Sequence, residues 1–422
     1  MDPAEDFPAG TDPRPRDGAS GGGKPTIRVV MLFPFFPPDY SGAGIQGERL
    51  ARELAAAGVE VQVLAPLHPG VDAPRVEQRE GLRIRRFRVP QFDFERKFSL
   101  GFQAAVWLAG HSDWDLLHIH GFGYYAIAPA TVARSRGRRV LVKTTLSGGD
   151  GVPKPDGRPH HRLIVEAYRR VDAVVALSAE LEAGFREDPD FRAHVVRIPN
   201  GVDTELFRPA SAAEKRAARG KLGIVPDEFV VVTVGRLDHR KRVVDLVKAV
   251  GRAASRPLCA LLAGPDSPFP EDPPMLDRAE AGLSAEARVQ RLGNVSPDDL
   301  PDVYRAADAF VLASSAEGMP NALLEAMATG LPCIATDIPG ARDLLEGGEG
   351  HLYSVGDIAA LARGIDALVA DPAAATALGA RAREAVVSRY SLGAVVGRYE
   401  AEYRRLLEGD VVAADSSAPT DC

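Results

Sequence analysis

Two successive runs of alternation dominate this sequence. Short β-branched, apolar stretches take turns with amphipathic helical stretches, first across residues 25–208 and again across 228–390. Such alternation marks parallel strands joined by crossover helices, because a parallel pair cannot be closed by a tight turn. The first series holds TIRVVMLF (26–33), EVQVLAP, LRIRRFRVP, DLLHIHG, RVLVKTT, DAVVALS and VVRIPNG; the second holds FVVVTVGRL (229–237), LCALLAG, RVQRLG, AFVLASS and LPCIATD. Between them, TELFRPASAAEKRAARGKLGIVPDE (204–228) breaks the rhythm with proline, alanine and charge. The expected class is α/β, with two Rossmann-like doubly wound domains (25–208 and 228–390), a linker (209–227) and a final helical stretch (391–409). A chain of 422 residues with 45% hydrophobic and 26% charged residues can bury two such cores.

The flanks read differently. Residues 1–24 are acidic and Gly/Pro-rich with no apolar core, so the expectation is a disordered leader rather than a signal peptide. Residues 410–422 read as a disordered tail. No run of about 18 apolar residues occurs, so no membrane-spanning helix is expected. A net charge of -7 argues against general nucleic-acid binding. Cys259, Cys333 and Cys422 have no zinc spacing and cannot all pair within one chain, which favours a reducing, cytoplasmic setting. No cluster of histidine, cysteine and carboxylate suggests a metal site.

Ligands of doubly wound sheets sit beyond the carboxyl ends of the strands, so a cleft between the two domains is the expected site. Three motifs fall there. In EGMPNALLEAMATG (317–330), a strand and turn lead to Pro320 at the first helical position, and the helix stops at Gly330. A helix start offers free N–H groups and a positive dipole end to an anion. Glu325 sits about 7–8 Å along that helix, the distance from a diphosphate to its ribose, whose diol it can accept from. Glu317, before the helix, faces the side where a sugar would sit. Gly318, Met319, Asn321 and Ala322 complete the anion-binding start.

The second motif, GRLDHRKR (235–242), follows the first strand of the second domain. Gly235 makes the turn, and Arg236 and Lys241 converge on a point where a diphosphate leaving group would gather charge. A basic cluster is ordinarily a solvated face; the neighbouring helix start is what raises this one above that. The third motif, GAGIQG (42–47), matches the dinucleotide fingerprint. The oxidoreductase it would imply fails, because eight residues separate the strand from Gly42 and the next strand ends VLAP without a ribose-binding acid. A long loop bearing Gly42 and Gly44 over the cleft, approaching a phosphate or acceptor closely, fits better.

Lesser candidates have plainer readings. His118 is expected in the core and His120 at the cleft end of the same strand. DWD (113–115) reads as a capped turn, HH (160–161) as a helix start, and PNGVD (199–203) as a turn or cleft loop. RIRRFRVPQFDFERKF (83–98), with five arginines, one lysine and four phenylalanines, reads as an edge strand with charged flanks. Its alternative is a contact with an anionic membrane surface or a lipid-linked acceptor.

Together these pieces resemble the retaining GT-B glycosyltransferases of glycosyltransferase family 4, over nearly the whole span from Arg28 to about Leu407. EGMPNALLEAMATGLPCIATDIPG is similar to that family's E-x(7)-E signature, GRLDHRK to its diphosphate-binding pair, and IPNGVDTELFRP to the stretch closing its first domain. YSGAGIQGERLARELAAAG is similar to its glycine loop and first helix. The resemblance implies a GT-B fold, a nucleoside diphosphate-sugar donor in the second domain and an acceptor in the first. It also implies retention at the anomeric carbon with no cofactor and no required metal. Glu317, Arg236 and Lys241 would then be catalytic, Glu325 donor-binding, and 391–409 a helix crossing back onto the first domain. The implied acceptor is a surface polysaccharide, a lipid-linked glycan or a specialised metabolite, met in the cytoplasm or peripherally at the inner membrane face.

Three departures stand out. Leu146 occupies the place of a donor-sugar histidine, for which His120, Ser147 or Asp150 could substitute. Ser41-Gly42 replaces a glycine pair, and Arg242 replaces a glycine after Lys241. The rival readings are a nucleotide-sugar epimerase or hydrolase of the same fold, and a catalytically silent nucleotide-sugar-binding subunit of a glycan-assembly complex.

Overall fold

The computed structural model describes residues 25–38, 41–144, 159–255 and 257–409. Its first sheet contains β1 (Arg28–Leu32), β2 (Glu60–Leu67), β3 (Val76–Arg79), β4 (Leu82–Arg88), β5 (Leu116–His120), β6 (Arg139–Lys143), β7 (Ala173–Ala176) and β8 (His194–Arg197). The strand order is β3-β4-β2-β1-β5-β6-β7-β8, and only the β3–β4 pair is antiparallel. The second sheet contains β9 (Phe229–Val234), β10 (Leu258–Ala263), β11 (Ala287–Gly293), β12 (Ala309–Leu312), β13 (Cys333–Thr336) and β14 (His351–Tyr353). Its order, β11-β10-β9-β12-β13-β14, reverses direction between β9 and β12. That reversal leaves a crevice at the carboxyl ends of those two strands.

Helices cover both faces of both sheets, so the central strands are apolar on both sides; β5, β7, β10, β12 and β13 are buried at every residue. The first helices are α1 (Gly42–Ala56), α2 (Asp93–Gly110) and α3 (Tyr124–Ser135). The terminal helix Leu392–Glu408 returns to the first domain, where Val395, Val396, Tyr399, Tyr403 and Leu406 join the core formed with β1 and β2. The connecting helix Ala212–Leu222 is closed at its start by a Ser211–Glu214 capping box and at its end by left-handed Gly223.

The structure corrects three readings. Residues 83–98 are not an edge strand: β3 lies outside β4, and the aromatic half of the segment turns into α2. Two of its arginines face inward. Arg86 is 2% exposed and donates to the carbonyls of Pro74 and Pro37 and to Glu77, and Arg85 is 5% exposed. Second, Gly42 and Gly44 belong to the first turn of α1 rather than to a loop. Ser41 is its N-cap, accepting from the Gly44 N–H at 2.9 Å. Third, Pro320 is the N-cap of its helix rather than the first helical residue. β3 and β14 went unread because each is short and its polarity does not alternate cleanly.

Candidate active site

Both turns at the β9/β12 reversal are shaped by close backbone approach. Gly235 and Gly264 adopt φ of 139° and 149°, and a Cβ on Gly264 would overlap the carbonyl oxygen of Gly235. The Lys241 stem packs over Gly235, and its N–H donates to Asp238 Oδ1 at 2.9 Å. The Lys241 ammonium thereby reaches Glu317, with Nζ 2.5 Å from Oε1. Arg236 extends from the same turn, exposed; its carbonyl accepts from the Asp238 N–H at 2.9 Å, and its guanidinium has no hydrogen bond or ion pair among the described residues. Arg242 holds a left-handed backbone (φ 50°) that glycine would adopt freely, and its guanidinium is tied to Asp245.

On the β12 side, the loop carrying Glu317 and Gly318 rests on Gly340, where a Cβ would lie 2.5 Å from the Gly318 carbonyl oxygen. The helix Asn321–Ala328 then begins at Pro320. Asn321 accepts from Asn200 Nδ2 at 2.8 Å, its own Nδ2 lies 3.4 Å from the Gly42 carbonyl, and the Asn200 N–H meets Met319 Sδ at 3.0 Å. The N-terminus of α1 thus faces the N-terminus of the helix Asn321–Ala328 across the cleft. Two positive dipole ends meet there, Lys241 reaches the same β12 loop through Glu317, and Arg236 lies on the neighbouring β9 turn. Buried nearby, Asn200 Oδ1 and Ser314 Oγ have no partner among the described residues.

Glu325 is buried, and both of its oxygens hold protein donors: Arg49 Nη1 at 2.9 Å from Oε1 and the Tyr304 hydroxyl at 2.9 Å from Oε2. Burial and the Glu325 charge hold the Tyr304 hydroxyl well above the ordinary phenol range. Each carboxylate oxygen keeps a further lone pair, so a diol could still share them. Arg49 also lies over the Phe207 ring, 5.4 Å from its centre.

His120 does not line the cleft. It is buried, stacked between Phe33 (centroids 4.0 Å) and His118 (4.3 Å), and His118 Nδ1 meets the Tyr403 hydroxyl at 2.7 Å. Burial, with Lys143 nearby, holds both imidazoles well below their ordinary range; burial pushes the Lys143 ammonium down to about 8. Leu146, Ser147 and Asp150 lie outside the described residues. DWD sits before β5, where Asp115 accepts from the Arg28 backbone and guanidinium. PNGVD is the cleft loop that carries Asn200.

Sequence reasoning missed Arg49, Tyr304 and Phe207. None sits in a local pattern that sets it apart. A cross-domain contact of Asp343 Oδ2 with the Ala179 N–H, 2.7 Å, was equally invisible.

Two doubly wound α/β domains facing each other across their strand ends make a GT-B architecture. The comparisons agree. The model of glycosyltransferase family 4 matches residues 40–206, and that of glycosyl transferases group 1 matches 214–385. The D-inositol 3-phosphate glycosyltransferase 1 of Catenulispora acidiphila is 30% identical over 405 residues, covering 90% of this chain and 95% of that protein. The N-acetyl-alpha-D-glucosaminyl L-malate synthase of Bacillus anthracis is 26% identical over 379 residues, covering 88% and 96%. The sucrose-phosphate synthase structure from Thermosynechococcus elongatus superimposes with a TM-score of 0.74 at 26% identity, covering 90% of this chain and 99% of that one. The chain belongs to the family 4, group 1 glycosyltransferases, and it is a transferase enzyme.

Proposed function

We propose that this enzyme moves a sugar, with retention, from a nucleoside diphosphate-sugar to a small, hydroxylated, anionic acceptor. The observation that carries the reading is the meeting of two helix N-termini with Lys241 and Arg236 at the β9/β12 reversal. That arrangement supports binding of a diphosphate and stabilisation of the charge it gains on departure. Glu325 would share its oxygens with the ribose diol. Glu317, held by Lys241, would orient the donor-sugar hydroxyls rather than act as a nucleophile. The acceptor oxygen would bond to the anomeric carbon on the face the diphosphate leaves, and its proton would pass to the departing phosphate oxygen. Because Arg236, Lys241 and the helix ends meet the leaving charge, this route calls on no metal or other cofactor.

The names of the related enzymes specify inositol 3-phosphate, L-malate and sucrose phosphate. They support a small anionic partner over a polysaccharide or lipid-linked glycan. The buried thiols of Cys259 and Cys333 fit a cytoplasmic setting, and among the described residues no helix is long and apolar enough to cross a membrane. With Arg85 and Arg86 turned inward, peripheral membrane contact has less support than it does in the sequence.

The test is titration with a panel of nucleoside diphosphates and their sugars, followed by unfolding temperature, with Glu325→Ala and Lys241→Ala as controls. A large upward shift with one nucleotide, lost in both variants, is expected. The anomeric configuration of the product, read by NMR with small sugar and polyol phosphates as acceptors, then tests retention. Donor turnover at the same rate without any acceptor would instead identify a hydrolase.

A further inference from the structure

The helix α2 is apolar on both sides. Its inner face places Leu100, Ala104, Trp107 and Leu108 in the core of the first domain. Its outer face presents Phe94 (63% exposed), Phe98 (65%), Phe102 (60%) and Val106 (40%), each four residues after the last. From Phe98 to Gly110, FSLGFQAAVWLAG, there is no charged residue. A helix that is hydrophobic all round is normally a buried one.

The neighbouring helix widens this face. Gly101 lets α2 lie directly on α3, since a Cβ there would come within 2.8 Å of the Tyr125 carbonyl oxygen. The outward side of α3 adds Ile127, Ala128 and Thr131, and α3 carries no charge before Arg134. Phe94 also meets the Tyr124 ring edge-on, with centroids 5.6 Å apart, so the uncharged residues of the two helices adjoin.

We propose that the outward face of α2 and α3 seats a second copy of this chain, giving a two-fold dimer through Phe94, Phe98, Phe102 and Val106. Three observations favour this occupant over a bilayer. The basic strip before α2 is largely withdrawn: Arg85 and Arg86 are buried and Arg96 is drawn over the Phe35 ring at 5.2 Å, which leaves Arg83 and Arg88 as its exposed arginines. The charged residues flanking the start of α2 carry both signs (Asp93, Glu95, Arg96, Lys97), in a chain of net charge -7. The area also suits a dimer. The exposed parts of Phe92, Phe94, Phe98 and Phe102 offer about 100–150 Å² each, and with Val106 and α3 they approach the roughly 800 Å² per partner of a stable interface. In a two-fold contact each uncharged face meets its own copy. The i, i+4 row of side chains makes a ridge that can interdigitate with the same ridge on the partner.

The test is sedimentation of the full chain at micromolar concentration, with F98E/F102E beside it. The expected results are twice the chain mass for the wild type and a single chain mass for the variant. The variant's unfolding temperature at limiting dilution and its nucleotide-induced shift should match the wild type, since neither side chain belongs to the core. The milder F98S/F102S should weaken the dimer in the same direction. A wild-type monomer at all concentrations, or a variant that stays dimeric, overturns the proposal. So does a monomer that co-sediments through these phenylalanines with phosphatidylglycerol vesicles, which would assign the face to a bilayer.

Discussion

Arg49 and Glu325, separated by 276 positions in sequence, meet at 2.9 Å and join the first helix of one domain to the helix Asn321–Ala328 of the other. Both side chains are largely buried, at 14% and 8% exposure. Removing one partner strands the other's charge, which commonly costs about 3–5 kcal/mol in a buried pair and less at an edge such as this. Arg49→Met is therefore expected to lower stability by about 1–3 kcal/mol. The double variant Arg49→Met/Glu325→Met should recover part of that loss. Urea denaturation of the four proteins measures the coupling, and strict additivity would show that the pair is not an energetic unit.

Arg236 and Lys241 should separate by stability. Arg236 is exposed, so Arg236→Ala is expected to leave the unfolding temperature unchanged while lowering kcat about 10²-fold. Lys241→Ala should lower both, because it also leaves the Glu317 carboxylate without its ammonium partner. Steady-state rates and thermal unfolding on the same preparations decide it. A loss of stability in Arg236→Ala equal to that in Lys241→Ala would contradict the assignment.

Two glycines at positive φ should respond unequally to alanine. At Gly293 a Cβ has nothing within 4 Å, so only the strained backbone matters, about 1 kcal/mol. At Gly264 a Cβ would also overlap the Gly235 carbonyl oxygen. Gly264→Ala is expected to cost about 3 kcal/mol or more and to abolish the nucleotide-induced shift, since the turn bearing Arg236 must move. Comparable costs for the two variants would refute the close-approach argument.

The buried imidazoles make stability fall on the acid side. His118 and His120 have folded values well below their unfolded value near 6.5. Below about pH 6.5 the unfolded chain takes up protons that the folded chain refuses, so the loss grows as pH falls, by up to about 1.4 kcal/mol per pH unit for each histidine. His120→Phe, which keeps the stack on Phe33, should reduce the difference in stability between pH 7.5 and 5.5 by roughly half of the two-histidine contribution. An unchanged pH dependence would mean that His120 already titrates in the folded protein.

Much of this molecule was legible along the chain. Strand and helix periods, the stop at Gly330 and the two glutamates around one helix start are encoded within a few residues, where local geometry decides. They suffice for two doubly wound domains and for a helix start at the β12 turn. Where the same residue types went astray, packing had overridden the local pattern. Arg85 and Arg86 look like a displayed basic strip but turn inward, because β3 covers the edge of β4 and Glu77 and backbone carbonyls receive Arg86. His120 stands at a cleft-side strand end, yet Phe33 and His118 close over it.

The sequence by itself determined the elements, their order and the chemistry available at the strand ends. Only the tertiary structure decided which of those groups meet. Arg49 reaches Glu325, Asn200 reaches Asn321, and Gly42 faces the helix Asn321–Ala328 because two distinct sheets present their carboxyl ends to each other. No period or cap within one segment carries that information, since such contacts depend on how distant surfaces pack.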